Sequence, residues 1–102
     1  MAYKWFLIVS DDAKKQIDNL SGSDLRLLFK KLIELLNVDD PLDQTQITDI
    51  KKLKAREYRG LWRKRAGNWR ILYRVEHGEV VFFKFKYKGK LIVEQIVNRR
   101  DL

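Results

Sequence analysis

"LWRKRAGNWRILYRV", residues 61–75, has five arginines and lysines in fifteen positions, arranged on either side of a glycine. Its pattern reads as two β-strands joined at Ala66-Gly67-Asn68. Successive side chains of a strand point to opposite faces. Trp69, Ile71, Tyr73 and Val75 therefore share one face, joined by Trp62, while Arg63, Arg65, Arg70 and Arg74 share the other. Like charges on neighbouring strands cost stability. A sequence that gathers them on one face has a use for them there.

Downstream the alternation continues. Strands are expected at 58–65, 69–76, 79–88 and 91–97, with glycine-containing turns at 66–68, 76–78 and 88–90. On this register Val81, Phe83, Phe85 and Tyr87 extend the apolar face, and Lys84, Lys86 and Lys88 extend the cationic one. Trp62, Trp69, Ile71, Tyr73, Phe83 and Phe85 should be buried, and Arg70 should sit between Arg63 and Arg65 on one side and Lys84 and Lys86 on the other. Lys64 falls on the apolar face, which places it near a sheet edge with its ammonium reaching water.

Upstream, "YKWFLIVS" (3–10) reads as a strand. Ser10 or Asp11 can cap a first helix carrying Ala13, Ile17 and Leu20 at helical spacing. After a break at 21–24, with Ser23 or Asp24 as the next cap, residues 25–38 place apolar side chains at 25, 28, 29, 32, 35 and 36. That is the stripe of an amphipathic helix, and the two helices are available to cover the apolar sheet face. Residues 39–50 hold the single proline and read as a loop.

The 102 residues are expected to form one domain, 1–102, with enough apolar content (45%) for one core. Residues 1–50 carry six Lys/Arg and nine Asp/Glu, net −3, and residues 51–102 carry sixteen and five, net +11. One-sided charge points to an anionic partner: nucleic acid, an acidic protein segment or a membrane surface. The longest N-terminal apolar run, Trp5 to Val9, is too short for a signal peptide or a membrane span.

Most catalytic classes drop out. There is no cysteine, and the lone histidine, His77, lies in an expected turn. The Asp pairs at 11–12 and 39–40 lack calcium-loop spacing. No glycine-rich phosphate loop is present, and a serine triad lacks a placed histidine. What remains is arginine, lysine and tyrosine. That inventory suits RNA cleavage by the 2′-hydroxyl, in which fixed cations clamp phosphate oxygens and stabilise growing charge without metal or cofactor.

Residues 51–85, "KKLKAREYRGLWRKRAGNWRILYRVEHGEVVFFKF", resemble the RelE/ParE superfamily of type II toxins. The likeness runs through Lys52–Leu53, Gly60–Leu61–Trp62–Arg63, Arg65, Gly67, Trp69–Arg70, Tyr73 and Glu79–Val80–Val81. It implies an α+β fold, two N-terminal-half helices packed on a twisted antiparallel sheet of four to five strands, in β-α-α-β-β-β order. It implies a toxin of a type II toxin–antitoxin system, a ribosome-dependent, metal-independent mRNA endonuclease. A ParE-like DNA gyrase inhibitor is the alternative within the superfamily, and a non-catalytic basic RNA-binding module the alternative outside it.

By position, Arg63 stands at a catalytic basic residue of the family, Arg70 at its transition-state arginine, and Arg99 of "NRRDL" at its active-site arginine. Leu61 replaces a lysine, the terminal tyrosine is missing, and Lys86, with Tyr87, is the candidate replacement catalytic group. Lys52, Lys54, Arg65, Arg74, Lys84 and Lys88 are candidate RNA contacts. The implied partners are a cognate acidic antitoxin, the ribosome and mRNA, in the cytoplasm, with no membrane, metal or small-molecule cofactor.

Overall fold

Residues 3–102 are described by a computed structural model. The elements follow in the order β1 (Phe6–Val9), α1 (Asp11–Asp18), α2 (Gly22–Asn37), β2 (Ile50–Lys52), β3 (Trp62–Ala66), β4 (Trp69–Phe82) and β5 (Phe85–Asn98). Short 3-10 turns lie at Arg56–Tyr58 and Arg99–Asp101. One five-stranded sheet has the order β1-β5-β4-β3-β2. It is mixed: β1 runs parallel to β5, and the other neighbours are antiparallel.

Serines start both helices. Ser10 Oγ accepts from the Ala13 amide at 3.1 Å and donates to the Glu94 carbonyl, tying α1 to β5. Ser21, not Ser23 or Asp24, caps α2 by accepting from the Asp24 amide, so that helix begins three residues before its apolar stripe. Leu28, Leu32, Leu35 and Leu36 form the buried face of α2. They pack with Trp5, Ala13, Ile71, Tyr73, Leu91, Val93 and Ile96. Each fully buried apolar side chain contributes roughly 1.5–3 kcal/mol. The polar ends of core aromatics are satisfied: Tyr73 donates to the Pro41 carbonyl at 2.6 Å and Trp5 to the Val38 carbonyl at 2.9 Å.

The expected turns at 76–78 and 88–90 do not exist. Two fourteen-residue strands run through them and reverse at Phe83–Lys84. The glycines serve other purposes. Gly78, at φ 126°, lies in an irregularity where the register shifts between His77 and Val80. Gly89 lies opposite His77, where a Cβ would stand 2.1 Å from the Glu76 carbonyl oxygen and 2.9 Å from the Trp5 ring. Only glycine permits that approach. The long hairpin carries Phe83 and Phe85 beyond the helices, leaving them 83% and 47% exposed, not buried. Val81 is exposed with them.

The core positions of β5 are Leu91, Val93 and Ile96. Their uneven spacing reflects a bulge: Tyr73 pairs Val93 and Leu72 pairs Gln95, so Glu94 is the extra residue. Lys64 also departs from expectation. It is fully buried, donating to the Thr48 carbonyl at 2.8 Å with the Glu34 carboxylate at 3.5 Å. The cause is β2, which lies in the stretch after the loop and pairs outside β3, so Lys64 is not at the sheet edge.

Candidate functional site

On the face away from the core, β3 presents Arg63 and Arg65, and β4 presents Arg70 and Arg74. The register pairs Arg65 with Arg70, and Arg63 with Leu72. The tight Gly67–Asn68 reversal joins these strands, with Gly67 at φ 63°. Arg70 donates through Nη1 to the carbonyls of Gly67 and Trp69 at 2.8 and 2.9 Å, which holds its guanidinium at this end of the sheet. Arg99 opens the C-terminal 3-10 turn, and its amide donates to the Asn68 carbonyl at 2.8 Å. The end of β5 thus returns beside the β3–β4 turn. Arg99, distant in sequence, thus joins Arg63, Arg65 and Arg70 of the hairpin there.

Their electrostatics confirm the crowding. Partial burial, then Arg65, Arg63 and Arg99, hold the Arg70 guanidinium below its ordinary value. Burial, then Arg65, does the same for Arg63. Arg63 and Arg70 both remain cations at neutral pH. Asp49 offsets Arg63, Arg65 and Arg70. Its carbonyl accepts from Arg63 Nη1 and the Arg65 amide, both at 3.0 Å, and its carboxylate lies 3.8 Å from Arg65. Asp49 has φ 62°, a left-handed conformation that aspartate tolerates better than most residues. Nothing in the period-two pattern singles it out. Its only sequence signal is an acid immediately before a basic strand.

The other named cations lie elsewhere. Arg70 does not sit between β3 and Lys84 and Lys86; its partner on β5 is Val97. Lys86 pairs Val81 in the distal hairpin, and Lys84 lies in its reversal. Arg74 is held between Glu94 at 3.2 Å and Glu76, whose hydrogen bond raises the guanidinium and lowers the carboxyl. Lys88 shares Asp39 with Lys4, at 3.4 and 2.6 Å. Lys52 lies opposite Trp62 on the helix side of the sheet edge, and Lys54 is exposed beyond β2. Lys51, which the alternation did not single out, is set opposite Arg63 on the arginine face.

The cluster can bind phosphate and stabilise negative charge on it. Among the described residues no histidine stands in it, and its neighbouring lysine in register is Lys51, opposite Arg63 on the edge strand. His77 packs edge-on to Trp5, and Tyr73 is buried with its phenol pushed up by burial. No group of three or more His, Cys, Asp or Glu that could hold a metal occurs among the described residues. No described helix is long and apolar enough to cross a membrane.

No protein-family model and no curated protein matches the chain. Solved structures do. A chain of the archaeal RelE–RelB complex from Pyrococcus horikoshii OT3 superposes with a TM-score of 0.61 at 18% identity, covering 94% of this chain and 96% of that one. A chain of the toxin–antitoxin complex RelBE2 from Mycobacterium tuberculosis gives 0.57 at 16% identity, with 97% and 100% covered. One from the RelB–RelE antitoxin–toxin complex of Methanococcus jannaschii gives 0.51 at 17%, with 92% of each chain covered. Two helices on this five-stranded sheet, matched over nearly the full length of each chain, give the protein a RelE-like fold.

Proposed function

We propose that this protein is the toxin of a type II toxin–antitoxin system and acts as a ribosome-dependent mRNA endonuclease in the cytoplasm. The observation that carries the reading is the arginine cluster, Arg63, Arg65, Arg70 and Arg99, on a RelE-like fold. Arg70, held by the Gly67 and Trp69 carbonyls, meets the scissile phosphate. Arg63 and Arg99 grip its flanking oxygens, and Arg65 guides the strand. The 2′-oxygen attacks phosphorus, the bond to the 5′-oxygen breaks, and the products are a 2′,3′-cyclic phosphate and a 5′-hydroxyl. The 2′-proton goes to solvent, because the cluster's field favours the alkoxide, and the departing 5′-oxygen takes a proton from solvent. Lys86 has no part in this step. An acidic antitoxin neutralises the same face, since complementary charge speeds encounter and specifies the partner.

No histidine stands beside the cluster among the described residues, and its neighbouring lysine is Lys51 on the edge strand; this favours one rival, a ParE-like gyrase inhibitor that docks through the arginines without cleaving. Induction in cells separates the two readings. The endonuclease stops translation first and leaves mRNA breaks visible by primer extension. Intact mRNA with stalled replication would transfer the protein to the gyrase reading, and growth without arrest would leave only a basic binding module.

A further inference from the structure

The β4–β5 hairpin ends in a cluster that the chain's own stability does not explain. Val81, Phe82, Phe83 and Phe85 are 58%, 49%, 83% and 47% exposed. Phe83 has φ 54°, a conformation strained for a bulky residue and natural for glycine or asparagine. The chain thus holds its most exposed large apolar side chain at a disfavoured backbone position, where it gains little burial. The rings nevertheless touch one another. Phe82 meets Phe83 edge-on at 4.6 Å, and Phe6 packs on Phe82 and Tyr87 at 5.5 and 5.4 Å. Between them stand the exposed Lys84 and Lys86, with no ion pair among the described residues. Residues 80–90 carry four lysines and no acid.

We propose that this hairpin tip is a second nucleic-acid contact, a stacking platform for single-stranded nucleic acid. Bases stack on Phe83 and Phe85, and Lys84 and Lys86 meet the adjoining phosphates. The occupant follows from size and charge. The four exposed apolar side chains offer about 400 Å² in all. A stable protein interface needs roughly 800 Å² from each partner. A second copy of a chain with net charge +8 would also meet its own lysines. A single strand needs only a few clustered rings and cations, and one stacked base is worth about five-fold or more in affinity. The site lies at the opposite end of β4 from Arg70, so it does not depend on the proposed cleavage.

The test is fluorescence anisotropy of the whole protein, without ribosomes, using oligonucleotides of about 12 residues as single-stranded RNA, single-stranded DNA and duplex. Wild type should bind the single strands more tightly than the duplex. Phe83→Asn should weaken single-strand binding about five-fold or more, with an unchanged or higher melting temperature because the strain is relieved. Lys84→Gln with Lys86→Gln should lower the salt slope by about 1.4. A folded Phe83→Asn protein that binds single strands as wild type does would overturn the proposal. So would duplex preference or absence of single-strand binding by wild type. Phe83-dependent binding to phosphatidylserine vesicles with RNA binding unaffected would replace it with a membrane contact. A Phe83-dependent dimer in sedimentation would replace it with self-association.

Discussion

Replacing Arg70 with alanine should separate folding from activity. The side chain is half-buried and makes two hydrogen bonds, to the carbonyls of Gly67 and Trp69 at a solvent-accessible turn. Water can take over both acceptors, so their loss costs on the order of 1 kcal/mol. Removing a cation crowded by Arg65, Arg63 and Arg99 returns part of that. The net change should stay within about 1 kcal/mol. For a domain stable by about 5 kcal/mol, that leaves roughly 0.1% of molecules unfolded. The chemical effect is far larger. Losing a donor aimed at charge that develops in the transition state costs about 100-fold or more, close to 2.7 kcal/mol.

The assay is single-turnover cleavage of mRNA on ribosomes, read by primer extension, beside a thermal melt of the same preparation. Arg70→Ala should melt within a few degrees of wild type yet cleave at least 100-fold more slowly. Arg70→Lys should recover only part of the rate, because a lysine lacks the bidentate fork. A well-folded Arg70→Ala protein that cleaves at the wild-type rate would remove this residue from the mechanism. Loss of rate accompanied by a collapsed melt would refute the separation argued from its exposure.

Arg63→Ala should reduce cleavage less than Arg70→Ala, and cleavage should persist in EDTA when ribosome integrity is maintained separately, with a 2′,3′-cyclic phosphate terminus identified by mass spectrometry. Tyr73→Phe should cost about 1–3 kcal/mol in urea unfolding, since it leaves the Pro41 carbonyl without its buried donor. Asp39 and Glu76 are held below their ordinary carboxyl values, Asp39 by Lys4 and Lys88 and Glu76 by Arg74. Their contribution is therefore complete above about pH 5 and is lost as pH falls through their folded-state values. Asp39→Asn should flatten the acid limb of a melting-temperature profile.

How much was legible depended on whether one rule governed a segment. The stripe of α2 and the alternation of residues 69–75 each follow a single period, and both gave the correct faces. The distal hairpin failed because glycine has more than one use. At Gly67 it makes a turn, at Gly78 it sits in a strand irregularity, and at Gly89 it admits a backbone oxygen and an indole. The sequence looks alike in all three places. The bulge at Glu94 then broke the alternation that would have located Leu91, Val93 and Ile96. At the site, Arg63, Arg65 and Arg70 were readable as one face because they share a hairpin. Arg99 came only by resemblance, and its approach depends on β5 extending to Asn98 and bringing the C-terminal turn to the Asn68 carbonyl. Asp49 followed no period at all.

The excess of like charge on the sheet is resolved unevenly, and the unevenness separates two kinds of cation. Lys64 is buried against Glu34 and the Thr48 carbonyl, Arg74 is clasped by Glu76 and Glu94, and Lys88 shares Asp39. These residues need no external anion. Among the described residues, Arg63, Arg65 and Arg70, with Lys51 and Arg99 beside them, have Asp49 as the carboxylate set against them, 3.8 Å from Arg65. Local repulsion is thus left unrelieved at one end of the sheet, where an incoming phosphate gains most by relieving it. Asp49→Asn tests that account. Removing the internal carboxylate should strengthen phosphate-dependent RNA binding and steepen its salt dependence. It should also destabilise the free protein modestly, because the arginines lose their counter-charge. Weaker RNA binding by a folded Asp49→Asn protein would show instead that Asp49 positions the arginines, and that the charge imbalance is not what draws the anion.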